Sequence, residues 1–145
     1  VISNLDAIIA GIAAQLKTVT ALLNVLTYEP DQPGPLPMVF LDMESWTFPE
    51  KPTSGLDIDW LIVGYLVIAP ISAKATEAAR IARVLIPQLI DVMGQDVDAH
   101  GALGEHGQVL IRDGGKGVLI VGGTQWHARR LEFAVSEWLI YQHAL

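Results

Sequence analysis

Apolar positions recur along this chain with two different periods, and the switches between them outline the expected elements. Leu5, Ile8, Ile9, Ile12, Leu16 and Val19 fall at the spacing of one helix face. Ser3 followed by Asp6 reads as an approximate capping box, with a shorter acid in place of glutamate. The spacing predicts a first helix over about residues 3–18. Ala7, Ala10, Gly11, Ala13 and Ala14 keep that helix slim, so a neighbour could lie close to it.

The period then shortens to two. Leu22 to Tyr28 suits a short strand, and residues 29–37, with four prolines and one glycine, form a stiff, extended connection. Met38 to Phe48 reads as a strand, with Val39, Leu41 and Met43 on one face and Asp42 and Glu44 on the other. Pro49, Pro52 and Gly55 mark a turn region, expected to be a long mobile hairpin tip. Asp57 to Ala69 is the clearest strand. Ile58, Trp60, Ile62, Leu66 and Ile68 face one way, and Asp59, Leu61, Val63, Tyr65 and Val67 face the other. Such a strand needs cover on both faces, from helices, a second sheet or another subunit.

Ser72 can cap a second helix running to about Met93, with Ala75, Ala78, Ala79, Ala82, Leu85, Leu89 and Val92 as its buried stripe and a kink expected at Pro87. Residues 94–123 hold nine of the thirteen glycines. They are expected to be irregular, with short strands at Val109–Arg112 and Val118–Val121 around a turn at Asp113–Gly117. The closing strand runs from about Ala128 to Tyr141, and its alternation breaks near Glu137–Trp138, at an expected bulge. The order α, β, β, β, α, β, β, β predicts one α/β domain of the α+β kind over residues 1–145: a mostly antiparallel mixed sheet with its two main helices packed on one face.

Composition narrows the function classes. Half of the residues are hydrophobic and 17% are charged, below the usual ~25%, which suggests surface covered by a partner. The net charge of −7 disfavours a protein that grips duplex DNA, which needs a basic footprint. The chain has no cysteines, so disulfides, thiolate nucleophiles and zinc–cysteine sites do not arise. The longest apolar run, Trp60 to Ile71, contains Gly64 and Pro70 and falls short of the ~20 residues of a membrane span. No leader segment is expected.

Candidate chemistry is sparse. Asp96, Asp98, His100, Glu105 and His106 are of metal-ligating type, but their spacing matches neither a helical zinc pair nor a calcium loop. A solvated loop is the simpler reading. Asp113 to Gly117 lacks the glycine, the Ser or Thr and the helix of a phosphate loop, and fits a turn. Asp57 with Asp59, and Asp42 with Glu44, share strand faces as acid–base pairs do, but such charges more often guard a sheet edge. His127 and His143 have no serine in a nucleophile elbow to serve. No catalytic residue, metal or cofactor is expected, and the chain does not read as an enzyme. Arg129 and Arg130 should point to opposite faces. Trp46 and Phe48, beside the hairpin tip, are candidates for an interface, since large aromatics are enriched there.

The whole-chain layout resembles the tail terminators, or tail-completion proteins, of long-tailed bacteriophages. The resemblance rests on an N-terminal helix, then a proline-rich passage from Glu29-Pro30 through Pro35-Leu36-Pro37 into the apolar Met38-Val39-Phe40. A long hairpin strand leads into a long helix, Ile58 to Met93, and a glycine-rich stretch and a strand ending in Glu137-Trp138 follow. It implies a structural virion protein that forms a homo-oligomeric, hexameric ring on the head-proximal end of the tail tube. Such a ring would stop tube polymerisation, dock a neck or head-completion protein, and let DNA pass through its lumen without specific binding, with no membrane involved. Heterologous ring contacts need two unlike patches. The doubly apolar strand, with Leu61, Val63 and Tyr65, and the slim helix could supply them, with Trp46, Phe48 and Arg130 as further interface candidates. The rival expectations are another neck connector, a small-molecule-binding or enzymatic α/β domain, and an interaction module of a secretion or contractile-injection apparatus.

Overall fold

The computed structural model describes residues 3–48, 55–95, 98–99, 101–103 and 107–140. The hairpin tip, most of the 96–106 acid–histidine cluster, and His143 lie outside them. The elements run α1 (Leu5–Leu16), β1 (Asn24–Leu26), β2 (Met38–Thr47), β3 (Gly55–Pro70), α2 (Ala75–Gln95), β4 (Gln108–Val121) and β5 (Thr124–Ile140). They form one five-stranded sheet of order β1-β2-β3-β5-β4. Only β1 and β2 run parallel; every other neighbour is antiparallel. The expected α+β architecture is therefore present, with both helices packed on one side.

β3 alternates as its sequence requires. Ile62, Leu66 and Ile68 join Val39, Leu41, Phe133 and Val135 beneath the helices, where Ile8, Ile12, Leu16, Leu85, Leu89 and Met93 complete the main core. Gly64 lies on this face opposite Leu41 and Leu131, and a Cβ there would stand 2.8 Å from Phe133 Cε2. The glycine makes room for the Phe133 ring. α2 continues through Pro87, which lies on its exposed side, and Gln88 Nε2 donates to the Val84 carbonyl at 3.2 Å.

The opposite face of the sheet carries a second, smaller core of Met38, Phe40, Val67 and Val121, flanked by Leu26, Leu36, Tyr65, Leu119 and Trp126. Sequence reasoning left open a second sheet or another subunit as its cover. The chain's own proline-rich segment crosses to the far edge instead. Asp31 O would lie 2.5 Å from a Cβ on Gly122 in the β4–β5 turn, and Gly34 sits close to Asn24 on the return. Gly122 has φ 61, so glycine serves both the turn and the close crossing.

Three further expectations change. The slim face of α1 meets its own chain: a Cβ on Gly11 would stand 1.9 Å from the Ala99 carbonyl oxygen. The two short strands around a glycine turn are one strand, β4, with a bulge between Asp113 and Lys116, because β5 is long enough to pair with both halves. The closing strand has no bulge at Glu137, and its register with β3 is unbroken from Val67 opposite Ala128 down to Gly55 opposite Ile140.

Glu137 instead continues the inner face of β5, and it is buried. Its carboxylate accepts from Ser3 Oγ at 2.6 Å, Trp60 Nε1 at 3.1 Å and the Asn4 N–H at 3.3 Å. Ser3 therefore does not cap α1 as its sequence suggested, and the N-cap Asn4 makes no side-chain cap bond. A carboxylate from β5 stands at the positive end of the helix and fastens it to the sheet. A buried carboxylate holds only if its acceptors are used, and here three donors use them.

Two predictions follow from these contacts. Glu137→Ala strands the Trp60 and Ser3 donors and costs about 2–3 kcal/mol in denaturant unfolding, whereas Glu137→Gln, which keeps an acceptor, costs less than half of that. Equal losses in the two variants would assign the effect to packing alone. Gly11→Ala forces the helix and the Ala99 segment apart and costs about 1–3 kcal/mol by the same assay; an unchanged midpoint would contradict the close approach.

Candidate functional site

The described side chains of chemical interest sit in separate, local contacts. Among the described residues no three His, Asp or Glu side chains stand close enough to hold a metal ion. Asp98 accepts from the Gly101 N–H at 2.8 Å, a local turn contact. Asp113 takes the Gly115 N–H at 3.1 Å, a local contact inside the β4 bulge rather than in a turn. His127 places Nε2 2.9 Å from the Ala73 carbonyl, which ties the β3–α2 connection to β5. No helix among the described residues is long and apolar enough to cross a membrane.

The six interface candidates fall into two groups on opposite faces. Trp46 lies opposite Trp60, so it belongs to the helix side of the sheet, at the end of β2 that the helices leave bare. Trp46 and Phe48 are about half exposed and stack edge-to-face with ring centroids 5.0 Å apart. Together they form an apolar knob at the hairpin end of the molecule.

Leu61, Val63, Tyr65 and Arg130 lie on the other face. Val63 is 1% exposed, so no partner can reach it in the single chain. Tyr65 is partly buried against Phe40, 5.1 Å between ring centroids. Arg130 crosses the sheet between two acids, pairing with Glu44 of β2 and with Glu132 at 3.2 Å, while Arg112 holds the other oxygen of Glu132 at 2.8 Å. Glu44 can reach Arg130 because the β2 bulge between Met43 and Ser45 leaves it without a partner in the register. The bond with Glu44 raises the Arg130 pKa further above its already high value. These ion pairs run across the centre of the open face, over the row that contains Val63. Below them, toward the hairpin end, a shallow trough of about 490 Å³ is lined by Ser45, Thr47, Asp59, Leu61, Leu110 and Ser136 among others.

At the other end of the helix side, α2 and the sheet diverge. A cleft of about 750 Å³ opens there, floored by Ile68, Ala78, Ala82 and Ala128 and bordered by Arg83, Lys116, Val118 and Arg129. No carboxylate lines it, in a chain that carries sixteen acids against nine Lys and Arg. Arg129 is engaged by Asp113 at 3.0 Å. Arg129 and Arg130 thus point to opposite faces, as expected from the strand.

Sequence reasoning missed the outer edge. β4 is the last strand of the sheet, and it exposes Leu110 by 52%, Val118 by 56% and Ile120 by 60%. The signal lay in the aliphatic runs Val109-Leu110-Ile111 and Val118-Leu119-Ile120-Val121 on either side of Gly114-Gly115, but the glycine density split the segment into two short strands around a turn. Long, apolar edges are unusual in single soluble domains, because they invite pairing.

The Gly115 N–H first, and then Arg129, hold the Asp113 carboxyl below the ordinary range. A depressed carboxylate contributes stability above its unfolded pKa and loses it as pH falls through the folded value. Asp113→Asn should therefore lower the melting temperature slightly at neutral pH, with the gap from the unaltered protein closing below about pH 4. A gap that stays constant down to pH 2 would contradict this.

Compared with known proteins, the chain matches no family model and no curated protein.

Proposed function

We propose that this protein is a structural subunit of the tail-terminator type, working as one of several copies in a ring at the head-proximal end of a phage tail tube. The observation that carries the reading is the placement of unlike apolar surfaces at opposite ends of one sheet face. The Trp46–Phe48 knob stands at the hairpin end, opposite Trp60. The cleft beside Arg83, Lys116 and Val118 begins near Ile68, eight residues further along β3 or roughly 26 Å. A ring closes only through two different, complementary patches on each subunit. An aromatic knob and an apolar cleft with cations at its border are complementary in chemistry, since cations favour aromatic faces. The interior needs no partner, because both faces of the sheet are filled by the chain itself.

In this role the subunits form a homo-oligomer, hexameric by analogy with the proteins the layout resembles. One side of the ring meets the tail tube protein and the other a neck or head-completion protein, with DNA passing through the lumen. The net charge of −7 suits a passage that does not hold DNA. The protein then resides in the virion after assembly in the host cytoplasm, and the role calls for no catalysis or cofactor.

The test is addition of the purified protein to polymerising tail tube protein. Tubes should stop at a finite length with a ring on one end, and the double variant Trp46→Ala, Phe48→Ala should lose most of that arrest while remaining folded. Tubes that lengthen regardless of the added protein would overturn the reading.

A further inference from the structure

We propose that β4 pairs with β4 of a second copy of this chain, antiparallel, about a two-fold axis between Gly114 and Gly115. Among the described residues no strand lies beyond β4, whereas the opposite edge is the three-residue β1. β4 offers fourteen residues of edge with three exposed aliphatic side chains.

The bulge decides the register. Asp113 lies opposite Leu131 and Lys116 opposite Arg129, so β4 advances three residues while β5 advances two. Val109, Ile111 and Asp113 therefore share a face with Lys116, Val118 and Ile120, all on the helix side. Leu110 and Arg112 share the other face with Gly117 and Leu119. Residues opposite one another in an antiparallel pair must share a face. Across this bulge, the first half of one strand can thus meet the second half of its copy.

One such register leaves Gln108 opposite Val121 and Arg112 opposite Gly117 and matches the other positions. Asp113 stands opposite Lys116, Gly114 opposite Gly115, Ile111 opposite Val118, Leu110 opposite Leu119 and Val109 opposite Ile120. Each exposed aliphatic residue of the edge gains an aliphatic partner, and Lys116, which has no ion pair among the described residues, meets Asp113 of the other copy, which Arg129 also holds, at two symmetric places about the axis. A slip of two residues in either direction sets Asp113 against Val118 or Gly114 and leaves Lys116 without an acid. The outward row of N–H and C=O groups stays in phase too, because both halves keep their phase with β5. A bulge in an edge strand normally discourages pairing. Here the two bulges meet at the axis, where glycines leave room for both backbones.

A two-fold contact has no polarity, so it belongs to the free chain and not to the head-to-tail contact of a ring. The proposal stands independently of the terminator reading.

The chain has no cysteines, so cross-linking is clean. In the double variant Leu110→Cys, Leu119→Cys, mild oxidation should yield a covalent dimer, since opposed strand residues lie within disulfide range. Each single variant should stay uncross-linked, because the two copies of either residue lie about 26 Å apart along the edge. Lys116→Glu, at an exposed position, should leave the fold intact and weaken dimerisation about tenfold by light scattering at several concentrations. A monomer that never cross-links, or equal cross-linking in the single variants, overturns the pairing. A ring without the 110–119 bond overturns it while leaving the terminator reading in place. A linked dimer that never arrests tube growth supports the pairing and removes the terminator reading.

Discussion

A central strand with apolar residues on both sides cannot sit at a water-facing surface, and the rest of this molecule answers that constraint. β3 presents Ile62 and Leu66 to one side and Val63 and Val67 to the other, all of them buried. On the first side two helices supply the cover. On the second the cover comes from two unlike devices, a proline-rich segment over Phe40 and Val67 and a row of ion pairs near Val63, and a trough stays open at the hairpin end. The prolines suit this work. A stiff, extended segment lies over a sheet at low entropic cost, and its missing N–H groups need no partners on an apolar surface.

The helix layer depends on a polar contact at one end. Glu137 joins β5, Trp60 of β3 and the first residues before α1 in one place. Without it, the N-terminus of α1 would present unsatisfied donors to a partly buried site. With it, α1 is fixed across β1 and β2, its Gly11 face is taken by the Ala99 segment, and its apolar face closes the main core. Among the described residues, the surfaces left for partners are then the aromatic knob, the cleft beside α2 and the β4 edge.

Long elements were legible in the sequence because their period is sustained. β2, β3 and both helices lie within a few residues of their expected places, and the doubly apolar character of β3 was plain. Glu137 was not, since an acid in an apolar row looks like the end of a pattern, and only the fold brings Ser3 and Trp60 to it. β4 was read as two strands because glycine marks turns locally, whereas a long partner strand can hold two glycines in a bulge. Of the interface candidates, Trp46 and Phe48 are exposed, while Val63 is enclosed by residues distant in sequence. Leu110, Val118 and Ile120 were overlooked because exposure depends on which strand is last in the sheet, and strand order is not written in local pattern.

The chain covers the apolar cores on both faces of its own sheet and keeps its contact surfaces elsewhere. Hydroxyl-radical footprinting of the free protein at low concentration, compared with its largest assembly, tests this most directly. Met38, Phe40 and Val67 should be unreactive in both states, while Trp46, Phe48, Leu110, Val118 and Ile120 react in the free chain and a subset of them becomes protected on assembly. Strong labelling of Met38 and Phe40 in the free chain, lost on assembly, would contradict it, since a partner rather than the proline-rich segment would then be covering the second face.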